Sequence, residues 1–201
     1  MILFREPLTA DIRDFLNDNA LTAFSYPDLG CTRGRNVPGF NTDRFRIELG
    51  SGEPTLEQAK RAMRDWRGFA TDWIRLCWPY KKIVAGTVVA VLAHHYGIYS
   101  LNAARVVYVV DEPNRFGYAI GSLTDNVVRG ELLLVVYQEG DGKVYYEFTC
   151  VSRPGHWLKW VFYPLGRQLQ NRFAQDSLHA LLEALMAREA PRRAHTAESE
   201  S

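Results

Sequence analysis

What the sequence lacks first is charge of one sign. Its 24 basic and 23 acidic residues leave a formal net charge of +1, so no global field draws the chain to a polyanion or an anionic membrane. Nucleic acid is therefore a poor candidate partner. Cysteine is scarce as well: Cys31, Cys77 and Cys150 are odd in number and far apart, a pattern that suits neither a disulfide framework nor a CxxC site and implies a reducing compartment. The amino terminus carries Arg5 and Glu6 where a secretion signal needs an unbroken apolar stretch. The longest apolar run, 83–93, is interrupted by Gly86 and Thr87 and is well short of the ~20 residues that span a bilayer. The expectation is a cytoplasmic protein without a transmembrane segment. A Walker loop, a strand-linked GxGxxG, HxH, HExxH and Cys/His clusters are all missing, so no nucleotide, metal or other cofactor is expected.

What is present suits one ample domain, since 47% of the 201 residues are hydrophobic. Residues 1–40 read as an irregular arm or cap with a short helix near 9–17, broken by Pro27, Gly30, Gly34, Pro38 and Gly39. Phe45, Ile47 and Leu49 then alternate with Arg44, Arg46 and Glu48, the mark of a strand with one buried face. Thr55 and Gln58 resemble a capping box opening a helix whose apolar positions are Leu56, Ala59, Met63 and Trp66. A second short helix is predicted over 69–76 from the spacing of Phe69, Trp73 and Leu76, with Pro79 stopping it.

Beyond residue 83 the period changes to that of strands, drawn at 83–93, 104–110, 117–123, 131–138 and 144–151, with Gly140-Asp-Gly142 as a hairpin turn. Both alternating sets of 117–123 suit a core, so its inward face stays open. Leu165, Leu169, Phe173, Leu178, Leu181, Leu182 and Leu185 form a long helical stripe. Pro164 belongs either in its first turn or between it and a shorter helical piece at 157–162. Residues 189–201 hold no large apolar side chain and read as a disordered tail. The fold class expected is α+β, a curved antiparallel sheet wrapped around a long C-terminal helix, with two short helices after the first strand over 41–188. This order resembles the helix-grip fold of the START and pollen-allergen-like (SRPBCC) superfamily, which implies a cavity for an apolar ligand between sheet and helix.

A closer resemblance rests on Arg105-Val-Val-Tyr-Val-Val-Asp-Glu112, Gly117-Tyr-Ala-Ile-Gly-Ser-Leu123, Gly130-Glu131 and Ser152-Arg-Pro154. It extends upstream through Phe45-Arg-Ile47, Gly50-Ser-Gly52 and the stretch 59–73. These segments are similar to the DUF1990 domain, uncharacterised protein family 0548. The resemblance implies a helix-grip-like fold and supplies no reaction. The chain reads Gly121-Ser-Leu-Thr-Asp-Asn-Val127 where the family has Gly-Thr-Leu-Pro-Gly-His-Pro, and Glu131-Leu132 where it has two acidic residues.

Charged residues inside apolar strands are costly unless they have a task or a partner. Glu131, Arg105 and Arg153 are such residues; they either anchor a polar head group or form internal pairs and strand-end charges. His94 and His95 are adjacent, so on a strand they point to opposite faces and do not share a metal; His95 is placed toward the cavity. Ser152 and His156 lack the strand-turn-helix elbow of a serine nucleophile. The aromatic content of 12% is high, and Trp66, Trp73, Tyr108, Tyr118, Tyr146, Phe148, Trp160 and Phe173 line either a pocket or a solid core. In the last strand Val144, Tyr146, Phe148 and Cys150 share the apolar face. The expected function is non-enzymatic binding of a small apolar or amphipathic molecule by these aromatics, Trp160 excepted, with His95, Arg105, Glu131 and Arg153. Two alternatives stand beside it: a hydrolase- or cyclase-type enzyme using Glu131, His95 and Arg105, and a protein-interaction module.

Overall fold

The computed structural model describes residues 1–77, 82–123, 128–154 and 163–197. Its elements run β1 (Ile2–Leu3), α1 (Thr9–Asp18), β2 (Asn41–Ser51), α2 (Glu53–Arg64), β3 (Ile74–Cys77), β4 (Val88–His95), β5 (Ile98–Glu112), β6 (Arg115–Ser122), β7 (Val128–Gln138), β8 (Lys143–Pro154) and α3 (Tyr163–Ala197). All pairings are antiparallel, in the order β2-β8-β7-β6-β5-β4-β3, with β1 beside β5 off that path. The single crossing in this meander brings β2 to β8, pairing Phe45 with Phe148 and Ile47 with Tyr146. Side chains alternate across a strand, so this register gathers both apolar sets on one face, over which α2 and α3 pack. The result is the helix-grip arrangement.

Several local expectations are corrected. Residues 69–76 do not form a helix: Arg67–Phe69 is a single 3-10 turn and Ile74–Cys77 is the edge strand β3 on β4. Ile74 and Leu76 face the core from a strand as readily as Phe69, Trp73 and Leu76 would from a helix, and the pairing to β4 decides between them. The strand drawn from residue 83 begins at Val88 because Gly86, with φ of +90°, turns the chain. α2 starts before Thr55, with Gly52 as N-cap and Pro54 in the first turn. The Thr55 hydroxyl donates to the Ser51 carbonyl (2.8 Å) instead of making a capping box. β4 and β5 form a hairpin through Tyr96 and Gly97, both at positive φ (48° and 76°), as a tight two-residue turn requires. Pro164 lies in the first turn of α3, whose last turns overlap the expected tail. Pro79, residues 124–127, His156 and the piece at 157–162 lie outside the described residues.

The inner face carries the main core: Leu56, Ala59, Met63 and Trp66 from α2 and the turn after it, Phe116, Tyr118 and Ile120 from β6, Leu134 and Val136 from β7, Val144, Tyr146 and Phe148 from β8, and Ala174, Leu178, Leu181 and Leu185 from α3. Burying each large apolar side chain contributes about 1.5–3 kcal/mol, which makes this layer the main source of stability. The outer face is covered in part by two pieces of the first forty residues. Ile12 and Leu16 of α1 pack on Ala90, Leu92 and Leu101, and Tyr26, Cys31 and Val37 of the arm pack on Val151. A bulge between Val106 and Tyr108 shifts the register of β5 against β6, so Val106 faces inward whereas Tyr108 turns outward beside Arg105. No helix among the described residues is long and apolar enough to cross a membrane.

Candidate functional site

Glu131 is the first residue to account for, because a carboxylate only 1% exposed in the middle of a sheet must be solvated by the protein. β7 turns it to the outer face, and the arm supplies the solvation. The Tyr26 hydroxyl donates to Oε2 at 2.7 Å and the Gly30 amide donates to the same oxygen at 2.8 Å. The Thr32 amide donates to Oε1 at 3.2 Å, and the Thr32 hydroxyl donates to it as well. That hydroxyl also meets the Tyr108 hydroxyl at 2.8 Å, while the Arg33 guanidinium covers the Tyr108 ring at 4.0 Å. Gly121 makes room for this plug: a Cβ there would run into the Tyr26 hydroxyl and lie 2.9 Å from the Phe24 ring. Burial, and next the Glu131 charge, push the Tyr26 hydroxyl up and hold the Cys31 thiol at about 12, so both stay protonated. Burial likewise raises Tyr108.

Arg105 and Arg153 serve the same face. Arg105 donates to the Ala20 and Thr22 carbonyls at 3.0 and 2.9 Å, just past the C-terminus of α1, and sits over the Phe24 ring at 5.3 Å. The same nitrogen is 3.5 Å from the C-cap carbonyl of Asn19, at the helix end where a cation is favoured. Arg153 stacks on Phe40 at 4.8 Å. Thus Arg105, Tyr108, Glu131 and Arg153, expected around a cavity, instead fasten the arm to the outside of the sheet. The bulge is the reason for Tyr108, and strand parity for the other three. Glu131 and Arg105 are outward and His95 is not, so the trio required for an acid-base site on one cavity is dispersed.

The other seven expected residues share the inner side. The Trp66 and Tyr118 rings meet edge to face at 4.8 Å. Phe173 of α3 contacts Phe69 at 5.4 Å and Phe148 at 5.6 Å. The Tyr146 hydroxyl is 2.8 Å from that of Ser177 on α3, both buried. Trp73 lies against His95 at 4.9 Å and its indole N–H donates to Asp176 at 2.7 Å. Burial pushes the Tyr118 and Tyr146 hydroxyls up, so both remain neutral. Tyr118 is fully buried, and its hydroxyl makes no hydrogen bond among the described residues. Trp66 holds φ of +58°, a left-handed conformation that is unusual for a bulky side chain.

Coverage changes along this face. At one end Phe116, Val136, Val144 and Tyr146 are buried beneath α2 and α3. Toward the other end Leu132 and Cys150, paired across β7 and β8, are only half-buried, as are Val91 and Ala93 on β4 and the rings of Trp73 and Phe173. The apolar lining at this end is thus only half-buried, with the polar Asn102 on β5 and the Ser152–Gln170 pair (3.0 Å) on the same face. Sequence reasoning missed Tyr26, Gly30 and Thr32, which lie about a hundred residues from Glu131 in an aperiodic segment. The one available signal was the buried charge itself, which demands donors from somewhere.

Comparison with known proteins agrees with this architecture. A family model described as "Domain of unknown function (DUF1990)" matches residues 25–180, taking in the arm that solvates Glu131 as well as the sheet. A UPF0548 protein of Dictyostelium discoideum is 31% identical across 92% of this chain and 96% of its own length. One from Deinococcus radiodurans is 30% identical across 92% and 98%. Among solved structures, a conserved protein from Geobacillus kaustophilus superposes with a TM-score of 0.51 over 73% of this chain and 96% of that one, at 9% identity, a likeness of fold alone. With the family model covering most of the residues and two relatives aligned nearly end to end, the chain belongs to the DUF1990, or UPF0548, family.

Proposed function

We propose that this protein binds a small apolar or amphipathic molecule, without chemical conversion, between the inner face of the sheet and α3. The observation that carries the reading is the half-buried lining at Leu132, Cys150, Val91, Ala93, Trp73 and Phe173, contiguous with the main core. Apolar surface left beside a packed core gains free energy when a ligand covers it, at about 25 cal/mol per Å². Its polar neighbours Asn102, Ser152 and Gln170 can orient a ligand, as the few polar groups of apolar pockets do. Dispersal of Glu131, Arg105 and His95 favours carriage over acid-base catalysis, and one cytoplasmic domain suits such a carrier. The test is a fluorescence titration with N-phenylnaphthylamine on the full chain and on Val91→Trp, which fills the lining. Saturable binding that weakens tenfold or more in the folded variant is expected. Absence of saturable binding to the native chain, or identical binding by both, would overturn the reading.

A further inference from the structure

Two unusual features meet on the inner side. Tyr118 is a fully buried tyrosine whose hydroxyl has no hydrogen-bond partner among the described residues. Its ring touches Trp66, the residue held in the left-handed region. Buried polar groups are nearly always paired, and strained backbone conformations gather at binding sites. Phenylalanine would fill the same space without the orphan hydroxyl. The neighbouring polar pair offers no relief, because the Tyr146 and Ser177 hydroxyls are engaged with each other at 2.8 Å. Gly68, two residues after Trp66, brings its backbone onto that pair: a Cβ there would lie 2.6 Å from the Tyr146 hydroxyl and 3.2 Å from that of Ser177.

Tyr118 also stands in the right place relative to the half-buried lining. Leu132 pairs with Ile120, and Leu134 with Tyr118, so Tyr118 is one inward position deeper than Leu132, a step of roughly 7 Å along the sheet. We infer that the Tyr118 hydroxyl donates a hydrogen bond to a neutral acceptor, a carbonyl, ether or hydroxyl oxygen, at the deep end of the molecule held against the inner face. The inference rests on the binding function proposed above and adds the ligand's chemistry and orientation. Its acceptor must be neutral because Tyr146 and Ser177 provide no counter-charge, and an ionised group among Trp66, Tyr118 and Leu134 would be stripped of water without compensation.

The experiment compares two dyes on the full chain and on Tyr118→Phe: a dimethylaminonaphthalene carrying a propionyl ketone, and the parent dimethylaminonaphthalene without it. Thermal melting first establishes that Tyr118→Phe is folded, with a midpoint equal to or above that of the native chain, since it loses no hydrogen bond to the protein. The expected result is that Tyr118→Phe weakens the ketone dye about tenfold and leaves the parent dye unchanged, and that bound ketone emission shifts to the blue as its hydrogen bond is lost. Equal affinity of the ketone dye for both proteins, as a hydroxyl satisfied only by a buried water would give, overturns this inference while the binding function stands. If the native chain binds neither dye, both fall.

Discussion

The two faces of one sheet solve opposite problems. On the inner face the sequence supplies apolar and aromatic side chains and two helices to cover them, yet Leu132, Cys150, Val91 and Ala93 are only half-buried. On the outer face it places a buried carboxylate and an arginine, and an irregular arm supplies donors to the first and carbonyl acceptors to the second. The buried carboxylate of the outer face is thus hydrogen-bonded through both oxygens, whereas part of the inner apolar face is only half-buried. A charged residue inside a strand was the more eye-catching sign of function, and it proves to be a fastening; the plain aliphatic residue beside it lines the candidate site.

This contrast can be broken most forcefully at Glu131. Glu131→Ala leaves the Tyr26, Gly30 and Thr32 donors buried without their acceptor, and urea unfolding is expected to show a loss of about 3 kcal/mol. A loss below about 1 kcal/mol would mean that the arm is only loosely held. The alkaline limb comes next. The Cys31 thiol rises from an ordinary value of 9.0 to about 12 in the folded chain, so its contribution is fully present below pH 9 and is lost as pH rises toward 12. Stability of the native chain should fall more steeply than that of Cys31→Ala over this window, by about 2 kcal/mol near pH 11. Parallel curves would show that Cys31 meets solvent. Tyr26, also raised, adds to the fall in both proteins above pH 10.

A smaller effect is expected from Arg105→Ala, which deprives the carbonyls after α1 of their cation at a cost of about 1 kcal/mol. Faster amide hydrogen exchange in α1, with α3 unchanged, is the expected signature, and uniform acceleration would contradict a role confined to the outer face. Least affected should be Lys143→Ala, at the uncovered part of that face, where the ion pair with Glu48 (3.0 Å) joins two side chains nearly half exposed. Such pairs contribute about 0.5 kcal/mol or less, within the error of most unfolding measurements.

Much of the scaffold was legible because alternation is a strong signal when one face is wet. Phe45, Ile47 and Leu49 on β2, and Val144, Tyr146 and Phe148 on β8, occupy the predicted face. Legibility failed where both parities are apolar. Arg105-Val-Val-Tyr gives no hint of the bulge that turns Tyr108 outward, and Phe69, Trp73 and Leu76 suit a helix as well as a turn followed by a strand. The Tyr96-Gly97 turn was hidden because tyrosine rarely accepts positive φ. The partners of Glu131 were beyond reach for a different reason: contacts between an aperiodic arm and a strand about a hundred residues away leave no local pattern. The seven inner residues could be named, but whether they line a site or fill a core depends on coverage, which is a property of packing.

Adjacent residues allow the central claim to be tested in one comparison. Glu131 and Leu132 are neighbours in β7 that point to opposite faces, so Glu131→Gln and Leu132→Trp perturb the two faces at the same place in the chain. The measurement is the dissociation constant for N-phenylnaphthylamine together with the urea midpoint of each protein. The account predicts that Glu131→Gln lowers the midpoint and keeps the native affinity, while Leu132→Trp keeps the midpoint and loses at least tenfold in affinity. Affinity lost in Glu131→Gln and retained in Leu132→Trp would move the site to the outer face and contradict it.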